Sequence, residues 1–395
     1  MVTIQKIRLD GFLSFAPGSP EFELRDLNVL IGPNGSGKSN FIEALELLSA
    51  TPRNLAEVIR VGGGAGEWIW KGDTVQSSAE IDVVLKEGTP TGRPIRYRIE
   101  LTEVRNRLEV IDEAIEEVEP LPGKSDVFFY YRFQRGRPMI SVRDAEAADG
   151  AVKRQLQRDH LEPDQSVLGQ RKDPEQYPEV TWAGQRFGSI QTFREWPFGR
   201  SGPLRTAQSA LLPEDQLLMD NSNLALLLNE IEHAGGVQFD RLLRRFFPRF
   251  QRMSTRISSG AVQFYLHETD FDRPISATRL SDGTVRFLAL LATLLAPSPP
   301  PLLCIEEPEL GLHPDAVALV ADLLVDASKR TQLIVTTHSD ALVSALTTQP
   351  DAVVACERPG DGTELRRLDP KKLAAWLDDY RLGDLWRMGE LGANP

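Results

Sequence analysis

The sequence predicts an α/β fold: a mixed, largely parallel central sheet, an antiparallel β meander, and a mainly helical lobe inserted into the larger body. Three observations carry this. The continuous apolar run "LNVLI" (27–31) leads through a glycine-rich turn into an amphipathic pattern at Phe41, Leu45 and Leu48, which reads as buried strand, loop and helix. Alternating apolar and polar segments recur between residues 79 and 140, as half-buried antiparallel strands do. Beyond residue 279, short apolar runs alternate with helical patterns, the signature of a parallel sheet.

The elements follow in chain order. "TIQKIRLDGFLSF" alternates as a strand open to solvent on one face. The meander comprises "AEIDVVL", "IRYRIEL", "LEVIDEAIEEV" and "VFFYYRF", divided by the turn-forming "EGTPTGRP" and "PLPGKSD". From 155 to 205 the chain is polar and punctuated by proline and glycine; helices are expected at "NLALLLNEIEHAGG" and "FDRLLRRFF", the second stopped by Pro248. A strand pair around "STRISSGAVQFYLHE" precedes a long helix that opens at "RLSDGTVRF" and ends at "APSPPP". Then come strand "LLCIE", helix "PDAVALVADLLVDAS", strand "QLIVTTH" and helix "DALVSALT". The expected organisation is 1–155, an inserted mainly helical lobe over 156–278, and 279–395. "VGGGAGEWIW" (61–70) lacks the G-x-G-x-x-G spacing and reads as a loop. There is no internal repeat and no sustained heptad pattern.

Composition bounds the setting. With 395 residues, 41% hydrophobic and 26% charged, the chain is long enough for one large core or two modest ones. It has no apolar run of transmembrane length and no basic-then-apolar leader, so the expectation is a cytoplasmic protein without a membrane partner. The two cysteines, Cys304 and Cys356, sit inside apolar runs and read as buried thiols. A formal charge of −12 argues against a surface coated by nucleic acid; a local basic groove remains compatible with it.

"GPNGSGKS" (32–39) matches G-x-x-x-x-G-K-[ST] between a strand and a helix, the context that this phosphate-binding motif requires. Gly32, Gly35 and Gly37 permit the tight turn that aims backbone N–H groups at phosphate oxygens; Pro33, Asn34, Ser36 and Asn40 complete the loop and the helix start. Lys38 supplies charge to the β- and γ-phosphates, and Ser39 a hydroxyl for Mg²⁺. "LLCIEEPE" brings two carboxylates to a strand end: Glu306 is placed to hold Mg²⁺ through water, and Glu307 to polarise an attacking water. His338, after "LIVTT", can donate to a γ-phosphate, with Ser339 capping the next helix.

In this order the motifs resemble those of ABC-type ATPase heads of the RecF/SMC-like group, including the ATPase part of the overcoming-lysogenisation-defect (OLD) nucleases. The resemblance spans nearly the whole chain: "IRLDGFLSF", "GPNGSGKS", "RLSDGTVRFLALLATLL", "CIEEPELGLHP" and "TTHS". A compact bacterial branch also shares stretches similar to "DQSVLGQRKDPEQYP", "FREWPFGR" and "YRLGDLWRMGELGANP". It implies a P-loop NTPase of ABC-head type with ATP and Mg²⁺ as cofactors. Residues 32–39 then correspond to Walker A, 302–307 to Walker B with the catalytic glutamate, His338 to the switch histidine, and Gly311 to Pro314 to the D-loop. "LSDGTVRF" resembles the signature motif, so Ser281 and Gly283 would reach the γ-phosphate held by a second copy in an ATP-dependent homodimer. Asp282 departs from the usual Ser-Gly-Gly, and a carboxylate beside a triphosphate is repulsive unless it points away or meets a cation. Glu306 stands where many relatives have aspartate. For the Q-loop metal contact the candidate is Gln165, with Gln170, Gln185 and Gln191 as alternatives.

Two functions remain open. One is an ATPase whose dimer engages DNA or nucleoprotein in anti-phage defence or DNA repair, with a separately encoded nuclease or toxin effector. "RLLRRFFPRFQR" (241–252) suits phosphate contact and stacking, although an amphipathic helix with solvated arginines reads the same. The other is a nucleotide-switched scaffold or sensor that binds a protein partner without touching DNA. The residues after His338 are too few for a Toprim nuclease and lack its D-x-D pair.

Overall fold

The computed structural model describes residues 3–393 apart from 73–76, 87, 135, 145–150, 158–159, 195, 197–198 and 236. The chain forms two compact units, Met1–Gln191 with Val354–Arg367, and Thr192–Val353 with Leu368–Pro395.

The first unit contains the meander. Eight strands pair in the order Phe22–Glu23, Ile4–Asp10, Ser78–Leu85, Ile95–Val104, Arg107–Glu117, Phe129–Gln134, Arg137–Arg143 and Ala151–Gln155, with antiparallel registers such as Ile81↔Ile99 and Val83↔Tyr97. Strict alternation sorts their faces: Ile95, Tyr97, Ile99 and Leu101 are buried, while the residues between them face water or a charge ladder. In that ladder Arg96 Nε donates to Asp82 Oδ1 at 2.8 Å and Arg98 Nη2 to Asp112 Oδ2 at 3.2 Å. Strand Leu27–Ile31, buried at every residue, precedes the phosphate loop and helix Lys38–Ala50. It lies beside Val353–Glu357, which pairs antiparallel with Glu364–Arg367.

In the second unit Leu302–Glu306 runs parallel to Gln332–Thr336, with Glu306 opposite Thr336. Helix Asp282–Leu295 buries Val285, Phe287, Leu288 and Leu291, and the Phe287 ring stacks on Phe246 at 3.9 Å between centroids. Helix Pro314–Ala327 returns the chain between the two strands. Leu224–Gly235 and Val237–Phe246 are the expected helices, the second ending before Pro248.

Within 156–278, helices Val167–Gln170 and Pro178–Gly188 fall in the first unit, and the remainder holds a four-stranded antiparallel sheet as well as helices. One expectation is revised. The stretch 61–70 is not a plain loop: it ends helix Leu55–Val61 and contains helix Ala65–Trp68. The first is capped by Asn54, whose side chain accepts from Glu57 N, and Trp68 packs on Phe12 at 5.8 Å; long-range burial overrides glycine content there. Of "FREWPFGR", residues 195, 197 and 198 lie outside the described residues.

Candidate nucleotide-binding and catalytic site

The phosphate loop is shaped by residues far along the chain. Gly37 caps helix Lys38–Ala50 in the left-handed region, at φ 99°. A Cβ there would collide with Thr363 Oγ1 and Ser14 Oγ, so both conformation and space demand glycine. Thr363 Oγ1 donates to the Ser36 carbonyl at 3.0 Å and lies 2.8 Å from Ser14 Oγ. Lys38 Nζ donates to the carbonyls of Gly32 and Pro33 at 2.7 and 3.0 Å. Asn34 and Gly35 at the loop tip are exposed, as is Ser39; Asn40 is half-buried. Cys356, beside the loop, has its thiol pushed up to about 12 by burial, opposed by the Lys38 charge, which leaves it protonated and inert.

These residues fit a nucleotide phosphate chain. The Ser36 hydroxyl is buried without a hydrogen-bond partner among the described residues, and the first-turn N–H groups of the helix after Gly37 are the donors that helix N-termini offer to anions. Among the described residues no group of three or more His, Cys, Asp or Glu could hold a metal. A Mg²⁺ bound mainly by phosphate and water needs only one or two protein oxygens, and in the first unit the exposed Ser39 hydroxyl can supply one.

The second unit carries the acidic pair and the histidine. Glu306 ends its strand and accepts from Arg194 Nε at 2.8 Å, a cation that the sequence reading missed because it lies 112 residues away. Glu307 follows with φ 44°, a strained setting for a residue other than glycine. Three hydrogen bonds hold it: its N–H donates to the Thr336 carbonyl at 3.0 Å, and its carbonyl accepts from Leu310 N at 3.1 Å and Arg286 Nη2 at 3.0 Å. His338 Nε2 stands 3.9 Å from Glu307 Oε1. Beneath them Glu309 Oε1 accepts from Thr337 Oγ1 at 2.5 Å and His338 N at 3.3 Å, and burial raises its pKa. Burial lowers the pKa of Arg286, while the charges of Glu309 and Glu307 oppose that shift. Glu309 and Arg286 were both missed. Glu309, two residues past the acidic pair in an apolar setting, was the more legible of the two.

At the signature segment Ser281 is the N-cap: its Oγ accepts from Thr284 N at 3.0 Å. Ser281 and Asp282 are exposed, whereas the helix behind them is buried. Gly283 approaches a neighbouring turn so closely that a Cβ would sit 3.0 Å from the Gly311 carbonyl oxygen. Asp282, the irregularity in the motif, meets a cation: its carboxylate pairs with buried Arg205. The same guanidinium donates to the Leu280 carbonyl at 2.5 Å, so it fixes the backbone that enters the helix.

Gln165 serves another purpose in this structure. Its Oε1 accepts from Leu55 N at 3.0 Å and its Nε2 donates to Asn54 Oδ1 at 3.1 Å, so the amide caps helix Leu55–Val61 instead of presenting an oxygen to a metal. Gln170 bonds to Glu162 and to the Gln165 carbonyl, Gln185 lies within helix Pro178–Gly188, and Gln191 opens strand Gln191–Phe193.

Residues 27–344 match the family described as "AAA domain, putative AbiEii toxin, Type IV TA system". The chain belongs to this AAA-domain family. No curated protein matches it in sequence. Its fold is similar to solved Smc heads. A crystal structure of an Smc head bound to the C-terminal winged-helix domain of ScpA aligns with a TM-score of 0.58 at 15% identity, over 94% of this chain and 99% of the other. The Smc head with an extended coiled coil bound to the ScpA C-terminal domain, from Pyrococcus furiosus, gives 0.56 at 14%, over 96% and 99%. The head with coiled coil and joint from Pyrococcus yayanosii gives 0.51 at 12%, over 96% and 99%. The chain is thus an AAA-domain protein whose mixed α/β fold is like that of Smc heads. No helix among the described residues is long and apolar enough to cross a membrane.

Proposed function

We propose that this chain binds and hydrolyses ATP, and that two copies close head-to-head around two ATP molecules to engage DNA or nucleoprotein in anti-phage defence or repair, alongside a separately encoded nuclease or effector. The observation that supports this best is the signature helix: a long buried helix that presents an exposed Ser281–Asp282 N-terminus, with the Asp282 charge held by Arg205. A helix N-terminus offered to the surface attracts an anion, and the partner copy's γ-phosphate is the anion that the motif order implies.

In this reading Lys38 and the loop N–H groups hold the β- and γ-phosphates, and Ser39 and Glu306 hold the Mg²⁺. A Mg²⁺ held by these residues would supply charge neutralisation for phosphoryl transfer. Glu307 takes the proton of the attacking water, its backbone pinned so that the carboxylate stays where the strand ends. His338, its N–H tied to Glu309, steadies the γ-phosphate from the next strand end. Glu307→Gln should keep ATP binding and accumulate dimer, because the base is lost while the clamps remain. Size-exclusion chromatography with light scattering reads this; a strict monomer with ATP bound would rule out the shared site.

For DNA the support is the 241–252 arginine stretch. Arg244, Arg245 and Arg249 pair with Asp240, Asp322 and Asp270, but exposed pairs of this kind are worth under ~1 kcal/mol and yield readily to phosphate. An Arg244→Ala/Arg245→Ala variant should lose ATP-dependent, salt-sensitive DNA binding. A second reading, the nucleotide-switched scaffold for a protein partner, is favoured by helix Pro370–Leu377. It buries none of its residues and exposes Trp376. If the arginine variant binds DNA as well as wild type does, or neither binds, this second reading gains.

A further inference from the structure

The first unit contains a concave site that the nucleotide chemistry does not use. Strands Arg137–Arg143 and Ala151–Gln155, with the start of helix Pro178–Gly188, border a cavity of about 350 Å³. Three cationic or ionisable donors line it, Arg154, His160 and Arg171, with no carboxylate among the described residues of its lining. This is unusual for a chain with 57 acidic against 45 basic residues. Elsewhere on the same sheet several arginines are neutralised: Arg96 by Asp82, Arg98 by Asp112 and Arg132 by Glu116. Arg171 is half-buried and, among the described residues, donates to neutral carbonyls alone, Nη1 to Gln170 at 3.0 Å and Nη2 to His160 at 3.3 Å. Those bonds orient the guanidinium without compensating its charge. Among the described residues neither Arg154 nor Arg171 has an ion pair. A recess lined by one sign of charge concentrates counter-ions, and forked guanidinium donors match phosphate geometry.

The remaining lining decides what carries the phosphate. Ile140, Val142 and the Tyr177 ring provide an apolar and aromatic surface within the same cavity. Its volume lies at the small end of ligand pockets, roughly 300–1,000 Å³, which suits one nucleotide and excludes a duplex.

We propose that this cavity binds a mononucleotide-sized organic phosphate, its phosphate taken by Arg154 and Arg171 and its planar base by the Ile140, Val142 and Tyr177 surface, separately from the phosphate-loop site.

The test uses the full chain with Lys38→Ala, so that the phosphate loop contributes little, and equilibrium dialysis with radiolabelled AMP. Saturable binding with one AMP per chain is expected, weakened about tenfold or more by Arg154→Glu and by Arg171→Lys, which keeps the charge but loses the fork. Arg154 is exposed, so its variant should retain the wild-type circular dichroism and keeps the test sound if Arg171→Lys misfolds. Absence of saturable AMP binding, or binding that Arg154→Glu leaves unchanged, overturns the proposal. Inorganic phosphate binding as tightly as AMP overturns the nucleoside part. A short single-stranded oligonucleotide that binds through these arginines when AMP does not would make the cavity part of a nucleic-acid path instead.

Discussion

Glu113 gives the sharpest quantitative test of how the first unit is held. Its carboxylate is fully buried on the meander and accepts from Tyr97 Oη at 2.8 Å, Ser166 Oγ at 2.5 Å and Val167 N at 2.9 Å. Burial nevertheless dominates these bonds and raises its pKa from 4.5 to about 7. The folded chain therefore holds this proton more tightly than the unfolded chain does. Stability from this group is full below pH ~4.5, falls as pH rises toward 7, and is flat above. At about 1.4 kcal/mol per pKa unit, the loss between pH 5 and pH 8 is on the order of 3 kcal/mol. Glu113→Gln removes the ionisation and keeps an acceptor for the Val167 N–H, at the cost of about one weakened hydrogen bond, ~1 kcal/mol. Wild type should be the more stable at pH 5 and the variant at pH 8. Urea unfolding followed by tryptophan fluorescence, with both proteins at both pH values, measures the difference and cancels the titration of all other groups. Two stability curves that stay parallel within ~1 kcal/mol across that range would refute the reasoning. Because Ser166 and Val167 follow Gln165 directly, the helix cap that Gln165 provides should loosen with the same pH dependence.

Other outcomes follow from single contacts. Gly37→Ala places a methyl group against Thr363 and Ser14 and forces a left-handed alanine costing ~1 kcal/mol or more; nucleotide affinity measured by calorimetry should fall at least about tenfold. Arg205→Ala leaves the Leu280 carbonyl and its neighbours without their donor and should cost about 2–3 kcal/mol in thermal unfolding. Asp282→Asn removes only an exposed partner and should cost under ~1 kcal/mol; equal costs would mean that the ion pair, not the carbonyl clamp, is what matters. Arg286→Ala frees the Glu307 carbonyl and should lower kcat about tenfold or more with nucleotide Kd unchanged. A Kd that moves with kcat would assign Arg286 to binding instead.

Much of the architecture was legible because it is local. Alternation in "IRYRIEL" and continuity in "LNVLI" fix which faces are buried, and the loop at 32–39 is a contiguous motif whose glycines and lysine need no distant information to be found. The unread parts are contacts between residues remote in sequence. Arg194 is 112 positions from Glu306, and Arg205 is 77 from Asp282; no periodicity announces such pairs. The cap made by Gln165 went unread for a related reason: its spacing from other motifs says nothing of the helix N-terminus 110 residues earlier that its amide caps. Helices Leu55–Val61 and Ala65–Trp68 were hidden by glycines, whose weak helix preference is outweighed by the burial of Trp68.

The Thr363 hydroxyl reaches back 327 residues to the Ser36 carbonyl. During synthesis the phosphate-loop motif leaves the ribosome 327 residues ahead of its buttress. At roughly 5–20 residues per second, the loop waits many seconds for the residue that fixes its shape. A nascent or truncated chain ending before 363 would thus carry an intact motif without the hydroxyl that fixes its shape.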